Sequence, residues 1–420
     1  MDIREILIRQ KKELEELNKK ELVKREVNID INKEIIKVIT GIRRCGKSTF
    51  GYLLLKDKNF GYINFDEREL LDFKSTEIEK GIKEIYGNTK FLFIDEIQNY
   101  DKWELWINSL YRRGYNLIIT RSNAKLLSKE LSTHLTGRYI SIELFPFSFR
   151  EILDYLKFNK ENLDFDKEKQ GEILKILKDY LEIGGFPEIW VKNLDINFLK
   201  TLFNDILLKD IVIRWKVKYI ELLEELSYYL INNFSSYYTI NKIKNSLDFR
   251  SKETVKNYIK YLEEAYLIFS LNNFSFKFKE VLKSPKKIYI IDNGIINAIR
   301  HNYMENIGRL MENLVFLSLR RKYKENENIF YFENNNYEID FLIKEGNKIT
   351  KLINVTYVNN FDEIDKRETR SLIHGYDLFK EYNPELIIIT WDYEDEKEIS
   401  WFNKKGKIRF IPLYRWLLNI

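Results

Sequence analysis

Eight residues, "GIRRCGKS" at 41–48, carry the most specific chemistry in the chain. They fit the pattern G-x-x-x-x-G-K-[ST] at every fixed position. Gly41 and Gly46 permit a tight turn that aims backbone N–H groups at phosphate oxygens. The helix start that follows adds its positive dipole end. The span Gly41, Ile42, Arg43, Arg44, Cys45, Gly46, Lys47, Ser48 and Thr49 therefore reads as the cradle of a nucleoside triphosphate. In it Lys47 would reach the β- and γ-phosphates, and the Ser48 hydroxyl would ligate Mg²⁺. Cys45 reads as a small filler of the turn rather than as a redox switch.

Such a loop needs an acid at the end of a nearby apolar strand, and "KFLFIDEIQ" at 90–98 supplies it. Asp95 would hold the magnesium ion through water. Glu96, a second acid beside the γ-phosphate, would orient and deprotonate the attacking water. The two motifs together point to hydrolysis and not to binding alone. Two further roles are open. Thr120 and Ser122, after the strand "YNLIIT", are candidates for sensing the γ-phosphate; Ser122 or Asn123 capping a helix is the structural alternative. Arg138, at the start of "RYISIEL", is a candidate for neutralising transition-state charge, in its own chain or from a neighbouring subunit. A surface ion pair is its structural alternative.

The elements that must position these residues are legible as a pattern. Short apolar runs at 35–40, 61–65, 90–95, 115–120 and 138–144 alternate with helical stretches. Runs this apolar suit strands buried on both faces, hence a parallel α/β sheet. Ahead of them, Ile3, Leu7, Gln10, Leu14 and Leu17 recur at spacings of three and four, which predicts a helix over 3–24 packed on its own domain, with a coiled-coil or partner helix as the alternative. Residues 147–215 read as helical, broken by "GGFP" at 184–187. Beyond 218 the reading is helices, then an aromatic-rich strand pair "AYLIFSLNNFSFKF". A third block opens at "KSPKKIYIID" (283–292). It carries a helix over 304–324, strands at 329–333, 337–343 and 350–358, a helix over 361–381 and a strand at 385–391.

Composition sets outer limits. A chain of 420 residues, 44% hydrophobic and 15% aromatic, can bury two or three cores. With 70 basic and 65 acidic residues the net charge is +5, so any nucleic-acid surface must be a local patch. One cysteine excludes internal disulfides and fits a reducing compartment; with only three histidines it makes a zinc site a poor fit. No apolar run has the length of a membrane span, and the charged start lacks a signal-peptide core, so a cytoplasmic protein without membrane contact is expected.

Residues 218–280 read as a DNA-binding fold on their own pattern. "TINKIKNSL" and "KETVKNYIKYLEEAYLI", joined by "DFRS", form a helix-turn-helix. Val255, Ile259 and Leu262 face inward, leaving Lys252, Lys256, Asn257 and Lys260 outward, where they could meet double-stranded DNA. "FSFKFKEVLKSPKK" (274–287) would be the wing. Packing without DNA is the alternative, since Glu253, Glu263 and Glu264 dilute the basic face.

The order of pieces resembles the archaeal-type ATPases of the AAA-like P-loop class. The matching stretches run across nearly the whole chain. Among them are "VITGIRRCGKST", "FLFIDEIQNYDKW", "YLEIGGFPE", "LLKDIVIRW", "SKETVKNYIKYLEEAYLIF", "GRLMENLVFLSL" and "YEIDFLI". The resemblance implies ATP and Mg²⁺ as ligands. It also implies a P-loop AAA-like parallel sheet core, a winged-helix domain and a C-terminal α/β domain related to PD-(D/E)XK nucleases. The expected boundaries are an N-terminal helix (1–28), the ATPase core (29–145), a helical region (146–217), the winged helix (218–284) and the nuclease-like block (285–420). In the family's sensor stretch Gly precedes Ser; here Arg121 takes the Gly place.

In the nuclease-like block Glu312 and Asp340 match the first two acids of the metal site. Asn354 and Thr356 stand where an acid and a lysine belong. Glu338, two residues before Asp340 on the same strand face, could replace a ligand but not the lysine. The expected function is an Mg-dependent ATPase whose nucleotide state controls its C-terminal domains. The alternatives are an ATP-dependent DNA-acting nuclease with a retained C-terminal metal site, and a slow-hydrolysing switch that recruits a protein partner or a second copy of the chain.

Overall fold

Five of the apolar runs become one all-parallel sheet, because strands with no polar face can be satisfied only with helices on both sides. The computed structural model describes residues 2–122, 137–161, 163, 165–300, 306–334 and 337–419. Two compact units are distinguished: residues 1–147 with the short segments 154–156 and 264–266, and residues 148–153, 157–263 and 267–420.

In the first unit the strands are β1 (Ile36–Thr40), β2 (Phe60–Asn64), β3 (Phe91–Asp95), β4 (Asn116–Arg121) and β5 (Tyr139–Glu143), in the order β2-β3-β4-β1-β5. The register pairs Ile39 with Thr120 across β1 and β4, and Ile94 with Ile119 across β3 and β4. β4 thus lies between the strand that feeds the phosphate loop and the strand that carries the two acids. Helices α2 (Lys47–Leu55), α3 (Ser75–Tyr86) and α4 (Trp103–Arg112) link the strands.

Helix α1 (Ile3–Glu15) closes the open edge of this sheet. Its buried face of Ile3, Ile6 and Leu7 joins the core that holds Ile63, Ile78, Ile82 and Leu92. Each such side chain contributes about 1.5–3 kcal/mol. Gln10, buried on the same face, gives its amide to the Asn64 carbonyl (2.9 Å) and accepts the Asn64 N–H (3.0 Å), so the end of edge strand β2 is paired. The helix is shorter than the expected 3–24. It passes into a 3-10 turn over Glu16–Lys19 and becomes extended at Lys20, where Asn18, Lys19 and Lys20 offer no apolar group to the core.

In the second unit a long helix, α5 (Lys167–Ile183), leads to the "GGFP" turn. That turn is held by a buried carboxylate: Gly185 donates its N–H to Asp292 Oδ2 at 2.6 Å. After further helical segments between Pro187 and Asn232 come β6 (Ser236–Tyr238), α6 (Ile240–Ser246), α7 (Lys252–Glu264), β7 (Ile268–Asn272), α8 (Phe278–Lys283) and β8 (Lys286–Ile290). Both expected helices of the helix-turn-helix are present. The strand pair expected from "AYLIFSLNNFSFKF" is a single strand: β7 pairs antiparallel with β8, and β8 with β6. The stretch expected to be the wing, 274–287, is instead a turn, the helix α8 and the first two residues of β8. There Ser275 accepts the Lys277 N–H (3.1 Å) and donates to Glu280 (2.7 Å), which bends the chain out of strand geometry.

The remainder is α9 (Asn293–Ile299), α10 (Ile307–Lys322) and a six-stranded sheet with α11 (Lys366–Leu378) packed on it. Its strands are β9 (Ile329–Asn334), β10 (Tyr337–Glu345), β11 (Lys348–Val355), β12 (Glu385–Thr390), β13 (Asp395–Trp401) and β14 (Lys404–Pro412). The order is β13-β14-β12-β11-β10-β9. The last two strands and a closing helix, α12 (Leu413–Asn419), have no counterpart in the expected layout.

Candidate active site

The phosphate loop sits between the end of β1 and the start of α2. Gly46 caps α2 with φ 94°, a left-handed conformation that a side chain would strain. A Cβ on Gly41 would lie 2.1 Å from the Leu144 carbonyl oxygen, so only glycine lets β1 and the segment after β5 close at this point. Lys47 is buried, and its ammonium donates to the carbonyls of Gly41 (3.2 Å) and Ile42 (3.1 Å). It lies 3.9 Å from Glu96 Oε1. Two motifs some fifty residues apart in sequence therefore meet across the loop. Arg43 is half-buried and Arg44 exposed; Ser48 and Thr49 are half-buried at the first turn of α2.

Asp95 ends β3 and is buried. The Thr120 hydroxyl donates to its Oδ1, the Tyr62 hydroxyl lies 3.3 Å from its Oδ2, and Ser48 also hydrogen-bonds to it. Burial, with the charge of Glu96 next, raises the Asp95 carboxyl to about 6, against the pull of Ser48, Thr120 and Lys47. Glu96 turns sharply away with φ 48°. Its N–H donates to Thr120 Oγ1 at 3.0 Å, and its carboxylate accepts from the Gln98 amide. One hydroxyl at the end of the intervening strand thus fixes both acids.

Of the two sensor candidates, Thr120 touches the acids directly. Ser122 is reached through Gln98, whose amide lies 3.5 Å from its Oγ. Arg121 is fully buried, its guanidinium 4.9 Å over the Trp103 ring. Asn123, the alternative helix cap, falls outside the described residues.

Arg138 is not brought to this site within the chain, which corrects the expectation that it could act there in its own subunit. β5 runs parallel to β1, and the Arg138 carbonyl accepts the Ile36 N–H at the start of β1. The loop leaves the other end, four residues on, or roughly 13 Å at the usual rise of a strand. Arg138 instead donates to Asn108 (2.6 Å) and lies 5.9 Å over the Tyr111 ring.

Three residues were not anticipated from the sequence. Arg25, buried, donates to the Cys45 carbonyl (2.9 Å) and the Phe145 carbonyl (2.5 Å), bracing the loop from behind. Asp66, just after β2, has its carboxyl raised by burial and by Glu96, with Arg43 opposing. Gln98 links Glu96 to Ser122. The Cys45 thiol is pushed up by burial, as suits a filler.

In the second unit α7 leaves Lys252, Lys256 and Lys260 exposed on one face and Asn257 half-buried. Glu312 on α10 and Asp340 on β10 converge on one pocket with Glu338. Asn354, at the end of β11, is buried, and Thr356 just follows that strand.

These features define a protein class. The family model described as "AAA domain" matches residues 33–153, and a domain of unknown function matches residues 174–305. An uncharacterized protein of Methanocaldococcus jannaschii is 38% identical over 97% of this chain and 93% of its own length. An uncharacterized protein of Haemophilus influenzae is 31% identical over 92% of this chain and 95% of its own. Among solved structures, the Walker-type ATPase PABY2304 of Pyrococcus abyssi aligns with a TM-score of 0.44 at 17% identity, over 66% of this chain and 97% of that one. The chain belongs to the archaeal-type ATPases of the AAA-like P-loop class. No helix among the described residues is long and apolar enough to cross a membrane.

Proposed function

We propose that this protein binds ATP with Mg²⁺ at residues 41–49 and hydrolyses it to ADP and phosphate. The observation that carries the reading is the meeting of Lys47 with Asp95 and Glu96 around Ser48 and Thr120. The donor set fits the ion: a hydroxyl (Ser48) and a carboxylate (Asp95) are hard oxygen ligands of the kind Mg²⁺ takes. When bound, the ion neutralises charge on the β- and γ-phosphate oxygens.

The chain's own residues supply the rest. Backbone N–H groups of the loop and the start of α2 donate to the phosphate oxygens. The Lys47 ammonium exchanges its two loop carbonyls for β- and γ-phosphate oxygens, which raises its charge-assisted bonding. Glu96 accepts a proton from the attacking water as the water's oxygen bonds to the γ-phosphorus and the bond to the β-phosphate bridging oxygen breaks. Thr120 keeps Glu96 aimed and keeps Asp95 in place. Lys47→Ala is expected to weaken ATP binding by at least about tenfold, measured with a fluorescent ATP analogue. Unchanged affinity would remove the loop from the reading.

A second activity is supported by the lysines of α7. We propose weak contact with double-stranded DNA through Lys252, Lys256 and Lys260, and control of the second unit by nucleotide state. Each Lys→Ala change is expected to flatten the plot of log affinity against log salt by about one unit. An unaltered slope in all three variants points to α7 as a packing helix, leaving a protein partner or a second copy of the chain as the recruited object. Protease cleavage patterns that are the same with ATP, ADP and no nucleotide would separate hydrolysis from any such control.

A further inference from the structure

The C-terminal pocket, a cavity of about 640 Å³, is lined by Glu312 from α10, Glu338 and Asp340 from β10, and Glu368 and Ser371 from α11. In the nuclease-like arrangement that this block resembles, such acids surround a divalent ion. Whether they fit one here is decided by Lys287, on β8. Its side chain is fully enclosed, with 2% of the residue exposed. Its ammonium lies 3.0 Å from Glu312 Oε1, 2.9 Å from Glu338 Oε1 and 2.8 Å from Asp340 Oδ1. An ammonium has three N–H donors, and each has one carboxylate oxygen.

Two of these carboxylates take further donors. Glu312 Oε1 also takes the Tyr289 hydroxyl (2.7 Å), and Asp340 Oδ2 takes the Val355 N–H (2.9 Å). Asn354, in the third ligand position, is a bridge: its Oδ1 accepts the Asp340 N–H (3.1 Å) and its amide donates to Glu368 (2.7 Å). Among the described residues no group of three or more His, Cys, Asp or Glu is placed to hold a metal ion. A divalent ion seated among these acids would stand within a few ångströms of a buried positive charge, where screening by water is weak and like charges repel. Burial pulls the Lys287 ammonium toward neutrality, but Asp340 and Glu312 overcome this and hold it well above its usual value, so it stays charged.

We propose that Lys287 is a built-in cation that takes the place of the divalent ion, so that the acids of the C-terminal pocket close on the chain's own ammonium and the block does not cleave phosphodiesters by a metal-ion route. The missing lysine of the motif is thus present in space, from a distant strand, but as the site's counter-ion. This inference is independent of ATP hydrolysis at the phosphate loop.

The test is Mn²⁺ uptake by the nucleotide-free full chain, followed by electron paramagnetic resonance. Wild type and Asp340→Asn should take up equal Mn²⁺, since any ion at the phosphate loop is common to both. Lys287→Met should gain about one ion per chain as its three acids are released, and Lys287→Met/Asp340→Asn should lose it again. A wild-type ion that Asp340→Asn removes would overturn the proposal, as would a folded Lys287→Met that takes up no more than wild type. Should Lys287→Met fail to fold, the comparison of wild type with Asp340→Asn alone decides.

Discussion

Thr120 is the residue on which the candidate site turns. It donates to Asp95 and accepts the Glu96 N–H, so its hydroxyl orients one acid and the backbone of the next. Thr120→Val keeps the shape and removes both bonds. ATP affinity should stay within a few-fold while kcat falls on the order of tenfold to a hundredfold, read by steady-state phosphate release. An unchanged kcat would make Thr120 a packing residue. Asp95 and Glu96 were legible because each motif is contiguous and its neighbours announce a strand end or a helix start. Arg25, Asp66 and Lys287 were not, because their partners lie far away in sequence and no local pattern marks them. Lys287 sits in "KKIYI", where only the first lysine is exposed and every later residue is buried, and only the fold shows that the buried lysine meets three carboxylates.

Among the elements, the turn after α5 shows how a sequence break becomes structure. Asp292 caps α9 through the Gly294 N–H (2.9 Å) and holds Gly185, so one carboxylate ties two segments together. Burial raises its carboxyl to about 7 despite these backbone donors. Between about pH 4 and 7 the folded chain keeps this proton while the unfolded chain has lost it. Stability therefore falls as pH rises through that window, by up to about 1.4 kcal/mol per pH unit, and levels off above it. Thermal melts across that range should show the decline, and Asp292→Asn should flatten it; an equal slope in the variant would assign the decline to other acids. The five parallel strands were readable from uniformly apolar runs. β13 and β14 were not: β13 is an edge strand that alternates exposed with half-buried residues, so its pattern is that of a polar loop. The expected wing failed for the converse reason, since alternating aromatics and lysines fit an exposed helix as well as a strand, and Phe276, Phe278 and Leu282 are largely exposed.

For the whole molecule, the fold class and the ATPase family follow from sequence and structure alike, whereas control of the second unit by nucleotide state is a proposal. The proposed chemistry is narrower: a triphosphate held by Lys47 and Ser48 is cut by water that Glu96 deprotonates. Glu96→Gln keeps the shape of the side chain and removes the base. Multiple-turnover ATP hydrolysis with Mg²⁺, measured beside ATP binding on the same preparations, tests it most directly. Wild type should turn over, and Glu96→Gln should bind ATP normally while its kcat falls by on the order of a hundredfold or more. A wild type that binds ATP without turnover, or a Glu96→Gln variant that hydrolyses it as fast as wild type, would contradict the account.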